Sequence, residues 1–169
     1  MPIISLRFSF RQRFSVPARA AFAWCTDYSP GDVAYFPGTV RRQVNRIAED
    51  AIVMTDTSVR KGKTLEISRL VRIDPEIMTW TSTHLNGPYQ HSQYWYHIIP
   101  DSAETSHLDF EGLRLERVPR ALSAAEIRVR TETHRRADLT EWRTLLAPAL
   151  EEDLRELSSA PRKSRPKNR

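Results

Sequence analysis

At 169 residues, 40% hydrophobic and 28% charged, the chain suits one globular domain that buries about two thirds of its unfolded surface and needs neither metal nor disulfide to fold. The single Cys25 allows no internal bridge, no apolar run approaches the roughly 20 residues that cross a bilayer, and the Arg-rich, alternating start from Met1 to Phe14 is unlike a signal peptide, so a soluble protein of the reducing cytoplasm is expected. The net charge of +5 is local: Ser159 to Arg169 holds five of the 26 Lys and Arg residues and none of the 21 acids, which leaves a formally neutral body of 21 bases and 21 acids.

The first strand is written as an alternation of Ile4, Leu6, Phe8, Phe10, Phe14 and Val16 with Ser5, Arg7, Ser9, Arg11, Arg13 and Ser15, one face buried and one wet. Pro17 suits the first turn of a helix that places Ala18, Ala21, Phe22 and Cys25 on one face, with Cys25 as a small buried hydrophobe. Tyr28-Ser29-Pro30-Gly31 ends it, and Asp32 to Phe36 can form a second short helix before Pro37-Gly38 turns the chain. From Thr39 to Glu116, strands alternate with turns too short for parallel crossovers, which predicts an antiparallel meander.

Ser123-Ala124-Ala125-Glu126 has the form of a capping box, and Leu139, Trp142, Leu146, Ala149, Leu150, Leu154 and Leu157 make one apolar helical stripe. Glu126 with Arg130 and Glu132 with Arg136 pair at helical spacing, although Ile127, Val129, Thr131 and Thr133 also alternate as a strand would. Pro148 should kink the helix near Thr144. A continuous helix from Ser123 would run on the order of 50 Å against roughly 33 Å for a ten-residue strand, so its first half is expected to overhang the sheet. The division is a domain over 1–158 and a disordered basic tail over 159–169, either a solubilising end or a weak arm for RNA or anionic lipid.

This order of strand, two short helices, six strands and a long closing helix resembles the START-like, helix-grip proteins of the SRPBCC superfamily. The likeness lies in Phe14-Ser15-Val16-Pro17-Ala18 leading to Ala21-Phe22-Ala23-Trp24-Cys25-Thr26-Asp27, and in Asp74-Pro75-Glu76-Ile77-Met78-Thr79-Trp80. The resemblance implies an α+β fold, a curved antiparallel sheet of about seven strands wrapped around the C-terminal helix. It also implies a cavity between the two for lipids, polyketides, quinones or similar molecules, and a superfamily with both carriers and polyketide cyclase/dehydrase enzymes. The segment between Glu116 and Leu139 is longer than the usual link into the closing helix.

Turn lengths suggest a register pairing Ile73 with Ile77, Arg69 with Thr81, Thr81 with Tyr94, and Tyr94 with Phe110. The mostly apolar face of that register carries Leu65, Ile67, Val71, Ile73, Ile77, Leu85, Ile98, Leu108 and Phe110, with Arg69, Thr79, Thr81, Thr83, Tyr94 and Tyr96 as its polar members. Candidate ligand-binding residues are therefore Arg69, Thr81, Tyr94, Tyr96, Phe110 and Trp142, with Arg69 lacking an acid on its face and open to a carboxylate, phosphate or enolate. The other face pairs Trp80 with Trp95, which suggests a homodimer contact or simple cross-strand packing. It also carries His84, His91, His97 and His107 as separated pairs, not as convergent ligands, while His134 and Asp138 suit a surface hydrogen bond. With no phosphate loop, cysteine pair or nucleophile elbow, neither metal nor cofactor is expected, and the choice between a non-catalytic binder, a cyclase or dehydratase, and a partner or RNA module stays open.

Overall fold

The computed structural model describes residues 1–60 and 62–159, so the expectation of a disordered tail falls outside the described residues from 160 onward. Seven antiparallel strands form one sheet: β1 (Ile3–Phe14), β2 (Thr39–Ala48), β3 (Ala51–Arg60), β4 (Lys63–Asp74), β5 (Thr79–His84), β6 (Gln93–Pro100) and β7 (Ser106–Arg117). Their order is β1-β7-β6-β5-β4-β3-β2, a meander whose last strand returns to pair with the first. Between β1 and β2 lie α1 (Ala18–Thr26) and a short 3-10 helix (Pro30–Tyr35), and the chain closes through α2 (Ala124–Glu141), a π-helical turn (Trp142–Leu146) and α3 (Ala147–Ser159). Among the described residues no helix is long and apolar enough to cross a membrane.

Local chemistry sets these ends. The 3-10 helix starts two residues earlier than its expected Asp32, because Ser29 and Asp32 form a capping box: Gly31 N–H donates to Ser29 Oγ at 3.0 Å and Ser29 N–H to Asp32 Oδ2 at 3.0 Å. The predicted box at Ser123 is formed too, with Ser123 N–H donating to Glu126 Oε2 at 2.8 Å. This cap and the charged surface of α2 decide against a strand. Glu132 binds Arg136 as expected, but Glu126 is taken by Arg120, and Arg130 reaches across to Glu116 on β7.

Pro148 has no N–H for the Thr144 carbonyl, and the helix absorbs the loss one turn earlier. Ala147 N–H reaches back five residues to the Trp142 carbonyl, widening the turn without ending the helix. Of the predicted stripe, Trp142, Leu146 and Leu150 are buried and Leu157 is exposed, while Ala147, outside the stripe, is buried as well. The expected overhang does not occur. α2 lies along β1, with Ile127 and Leu122 packed on Ile4, Leu6 and Val118.

The sheet corrects the expected register. The β4–β5 turn spans four residues, with Asp74 opposite Thr79 and Met78 at φ 52°, and the Asp74 carboxylate accepts from the backbone of Glu76 and Ile77. Ile73 therefore faces Trp80 instead of Ile77, a slip of three that turns β5 over. Trp80, Ser82 and His84 face the helix; Thr79, Thr81 and Thr83 face outward. A one-residue slip at the next turn, Thr81 opposite Trp95, cancels the inversion, so Tyr94 and Tyr96 keep their predicted face. The β6–β7 pairing of Tyr96 with Phe110 is shifted by two, which preserves facing.

Trp80 is thus buried against Tyr96 in a parallel stack at 4.7 Å, while Trp95 is 40% exposed on the opposite face. The pair of neighbouring surface tryptophans does not exist. Ile77 and Leu85, also expected inside, are exposed in turns. His84 leaves the predicted histidine face, and His97 pairs with Asp109 instead of His107. The close packing at the β1–β7 seam requires Gly112, where a β-carbon would sit 3.0 Å from the Phe8 ring.

Candidate functional site

A cavity of about 780 Å³ lies between the inner sheet face and the closing helix. It exists because the ends of the helix are tied down while its middle spans the curve. Asp153 on α3 accepts from Trp24 Nε1 and Tyr35 Oη, each at 2.8 Å, and Glu151 accepts from Ser15 N–H at 2.7 Å. At the other end, Arg130 and His134 of α2 both bind Glu116, the imidazole at 2.8 Å.

The floor is aromatic. Tyr96 stacks on Trp80, meets Phe110 edge-on at 5.1 Å and lies 6.4 Å from Trp142, while Phe10 stacks on Phe110 at 4.4 Å. Of the candidate residues, Arg69, Tyr94, Tyr96, Phe110 and Trp142 all line the cavity. Thr81 does not; it lies on the outer face in a groove with Trp95 and His97.

Arg69 is not without an acid. Asp56 of β3, buried, accepts from Arg69 and takes a two-bond fork from Arg42 at 2.7 and 2.9 Å, and Arg42 reaches on to Asp32 at 3.2 Å. This overturns the expectation of a solitary arginine, which gave no register to β3. The signal was present in the alternation of Ile52, Met54 and Asp56 with Val53, Thr55 and Thr57. One nitrogen of Arg69 remains unanswered: Nε is buried with no hydrogen-bond partner, as is Nδ1 of the directly opposed His84.

Burial, with the cations Arg69 and Arg114 nearby, lowers the His84 pKa to about 4, so the ring is neutral at physiological pH. Burial likewise pushes the phenols of Tyr96 and Tyr28 and the thiol of Cys25 well up, which leaves all three protonated. Tyr28 enters the lining from a left-handed backbone (φ 44°) just after α1, a conformation that costs a tyrosine about 1–2 kcal/mol. On the far wall Arg114 donates to Tyr94 Oη at 3.0 Å, lies over the Tyr89 ring at 4.7 Å, and bonds His134 Nδ1 and Asp138. His134 and Asp138 are therefore joined through Arg114, not through a surface bond of their own. Sequence reasoning missed His84, Arg114 and Tyr28 as lining residues, the first because of the three-residue slip at Asp74, and it missed Asp56 as the buried acid behind Arg69.

An aromatic chamber with the protonated phenols of Tyr28 and Tyr96, the neutral His84 imidazole and the incompletely bonded Arg69 guanidinium can hold a planar apolar body and hydrogen-bond a carbonyl or anionic head. No family model matches the chain, and no curated protein matches its sequence. Solved structures match over nearly its full length. The Zhui aromatase/cyclase from Streptomyces sp. R1128 superposes with a TM-score of 0.71 at 14% identity, covering 93% of this chain and 98% of that one. A START superfamily protein from Mycobacterium smegmatis gives 0.64 at 13%, covering 90% and 99%. A point mutant of norcoclaurine synthase from Thalictrum flavum gives 0.66 at 10%, covering 91% and 99%. At such identities the likeness is one of fold, and the chain has the START-like helix-grip fold that its element order implied.

Proposed function

We propose that this protein binds a small hydrophobic molecule, of the lipid, polyketide or quinone kind, with its carbonyl or acidic head at Arg69 and its apolar body over Tyr96, Phe110 and Trp142. One observation carries the proposal: a buried, unbonded Arg69 Nε on the wall of a 780 Å³ aromatic cavity. Native mass spectrometry of the purified protein tests it. A bound small molecule released on denaturation is expected, and a protein that neither retains one nor takes one up from a mixture of aromatic acids and fatty acids would refute it.

A cyclase or dehydratase using the same cavity is the second reading, supported by the neutral His84 beside Arg69 and by the aromatase/cyclase and the norcoclaurine synthase that share the fold. Arg69 would stabilise an enolate and His84 would move the proton. Tyr94 fits the role of oxyanion donor, since its hydroxyl oxygen accepts from Arg114 Nε, which strengthens its own O–H as a donor. A ligand that emerges lighter by one water distinguishes enzyme from carrier. The proposal includes a cytoplasmic setting, supported by the lone Cys25, and weak contact of the basic run 159–169 with RNA or anionic lipid, tested by vesicle and RNA binding after its deletion. A homodimer loses the paired tryptophans as its basis, and sedimentation of the wild type against Trp95→Ala is the remaining test.

A further inference from the structure

The two orphaned atoms of the cavity wall, Arg69 Nε and His84 Nδ1, belong to directly opposed residues of β4 and β5 whose side chains share the inner face. Opposed residues hold their β-carbons about 5 Å apart, so two groups on one ligand head can reach both. Their surroundings are bonded: a terminal nitrogen of Arg69 is on Asp56, and Arg114 is on Tyr94 and Asp138. Buried polar atoms are rarely left unanswered, and two side by side mark a place kept for a ligand.

The two atoms differ in chemistry. Guanidinium Nε carries a hydrogen and only donates. His84, partly buried in the wall near the cations Arg69 and Arg114, is a neutral imidazole, which keeps one nitrogen as an acceptor. We propose that Arg69 and His84 form a head-group subsite selecting ligands with a hydroxyl beside a carbonyl, the carbonyl oxygen accepting from Arg69 Nε and the hydroxyl donating to His84 Nδ1. This rests on the ligand-binding function proposed above and names the head it takes. A ligand with the carbonyl alone leaves the imidazole lone pair buried and unanswered, so the hydroxyl sets specificity. The Tyr94 ring, 5.4 Å from the imidazole, and the stacked Trp80 and Tyr96 receive the planar ring that carries the head.

Flavone and flavonol, which differ by one hydroxyl beside the carbonyl, test the subsite. Flavonol also reports its hydroxyl's partner through the balance of two emission bands. Against the purified protein, flavonol should bind about tenfold more tightly than flavone, as one added hydrogen bond gives, with its internal proton-transfer band suppressed. His84→Phe should weaken flavonol about tenfold and leave flavone within about threefold, and His84→Gln, which restores an acceptor, should recover the preference. Equal affinities in the wild type, or an undiminished preference in His84→Phe, overturn the subsite while the cavity stands as a binding site. Saturable binding of neither compound overturns the binding function itself. The wild-type affinity ratio and emission decide the question even where His84→Phe fails to fold.

Discussion

Replacing Arg69 by Met and, separately, Arg42 by Met should cost unequal amounts, and the difference follows from how Asp56 is held. The Asp56 side chain is 6% exposed and receives three bonds, two from Arg42 and one from Arg69. Arg42→Met removes the fork and the Asp32 contact from a side chain that is itself only 3% exposed, so Asp56 keeps one partner and Asp32 loses its cation. Breaking a buried pair in this way costs about 3–5 kcal/mol. Arg69 contributes a single bond from a side chain 27% exposed, and the Arg42 fork survives its loss. Its removal should cost about 1–2 kcal/mol, or a melting temperature lower by roughly 2–8 °C at this chain length. Ligand affinity should move the other way: naphthoic acid should bind Arg69→Met about tenfold or more weakly, since a charge-assisted bond is lost. Urea unfolding with unchanged m-values gives the stabilities, and tryptophan quenching gives the affinities. The reasoning fails if Arg69→Met is as destabilising as Arg42→Met, or if it binds naphthoic acid as the wild type does.

Trp142→Ala, which empties the buried centre of the closing helix, should cost about 3–5 kcal/mol by thermal or urea unfolding. Trp95→Ala should stay within about 0.5 kcal/mol of the parent, whereas Trp80→Ala should behave as a core deletion, and equal effects would mean that β5 faces the wrong way. Acid should destabilise the protein through its partly buried histidines. His84 and His134 are held below their usual pKa by burial, so as pH falls through about 6.5 the unfolded chain takes up protons that the folded chain refuses. Stability attributable to His84 should then decline by about 1.4 kcal/mol per pH unit down to its folded pKa of about 4, and His84→Gln should flatten the profile.

Element order was legible because each punctuation mark has a local cause: Pro17 after the first strand, the Ser123 capping box, and the stripe from Trp142 to Leu154. Facing was less legible. A turn's length depends on the backbone it adopts, and Met78 in a left-handed conformation added residues that no pairing rule anticipates, inverting β5 and hiding His84 and Thr81 from a correct assignment. Tyr94, Tyr96 and Phe110 were placed correctly through two odd slips that cancel, not through a correct register. The acid beside Arg69 escaped notice because β2 lacks an apolar alternation, its one buried residue being Arg42, so the strand pair that carries Arg42 and Asp56 had no assigned register. Such pairs are set by long-range contact, which a sequence window does not contain.

The central claim is that the chamber between sheet and closing helix is the binding site, and filling it tests that claim most directly. Ser82, buried and part of the lining, points from β5 into the chamber, so Ser82→Phe adds a ring where a ligand would lie. Flavone titration, followed by quenching of Trp24, Trp80 and Trp142 in the cavity wall, should show saturable binding to the wild type. Ser82→Phe should bind at least about tenfold more weakly while melting no more than a few degrees from the parent. Equal affinity in a folded Ser82→Phe protein, or no saturable binding by the wild type, would contradict the account.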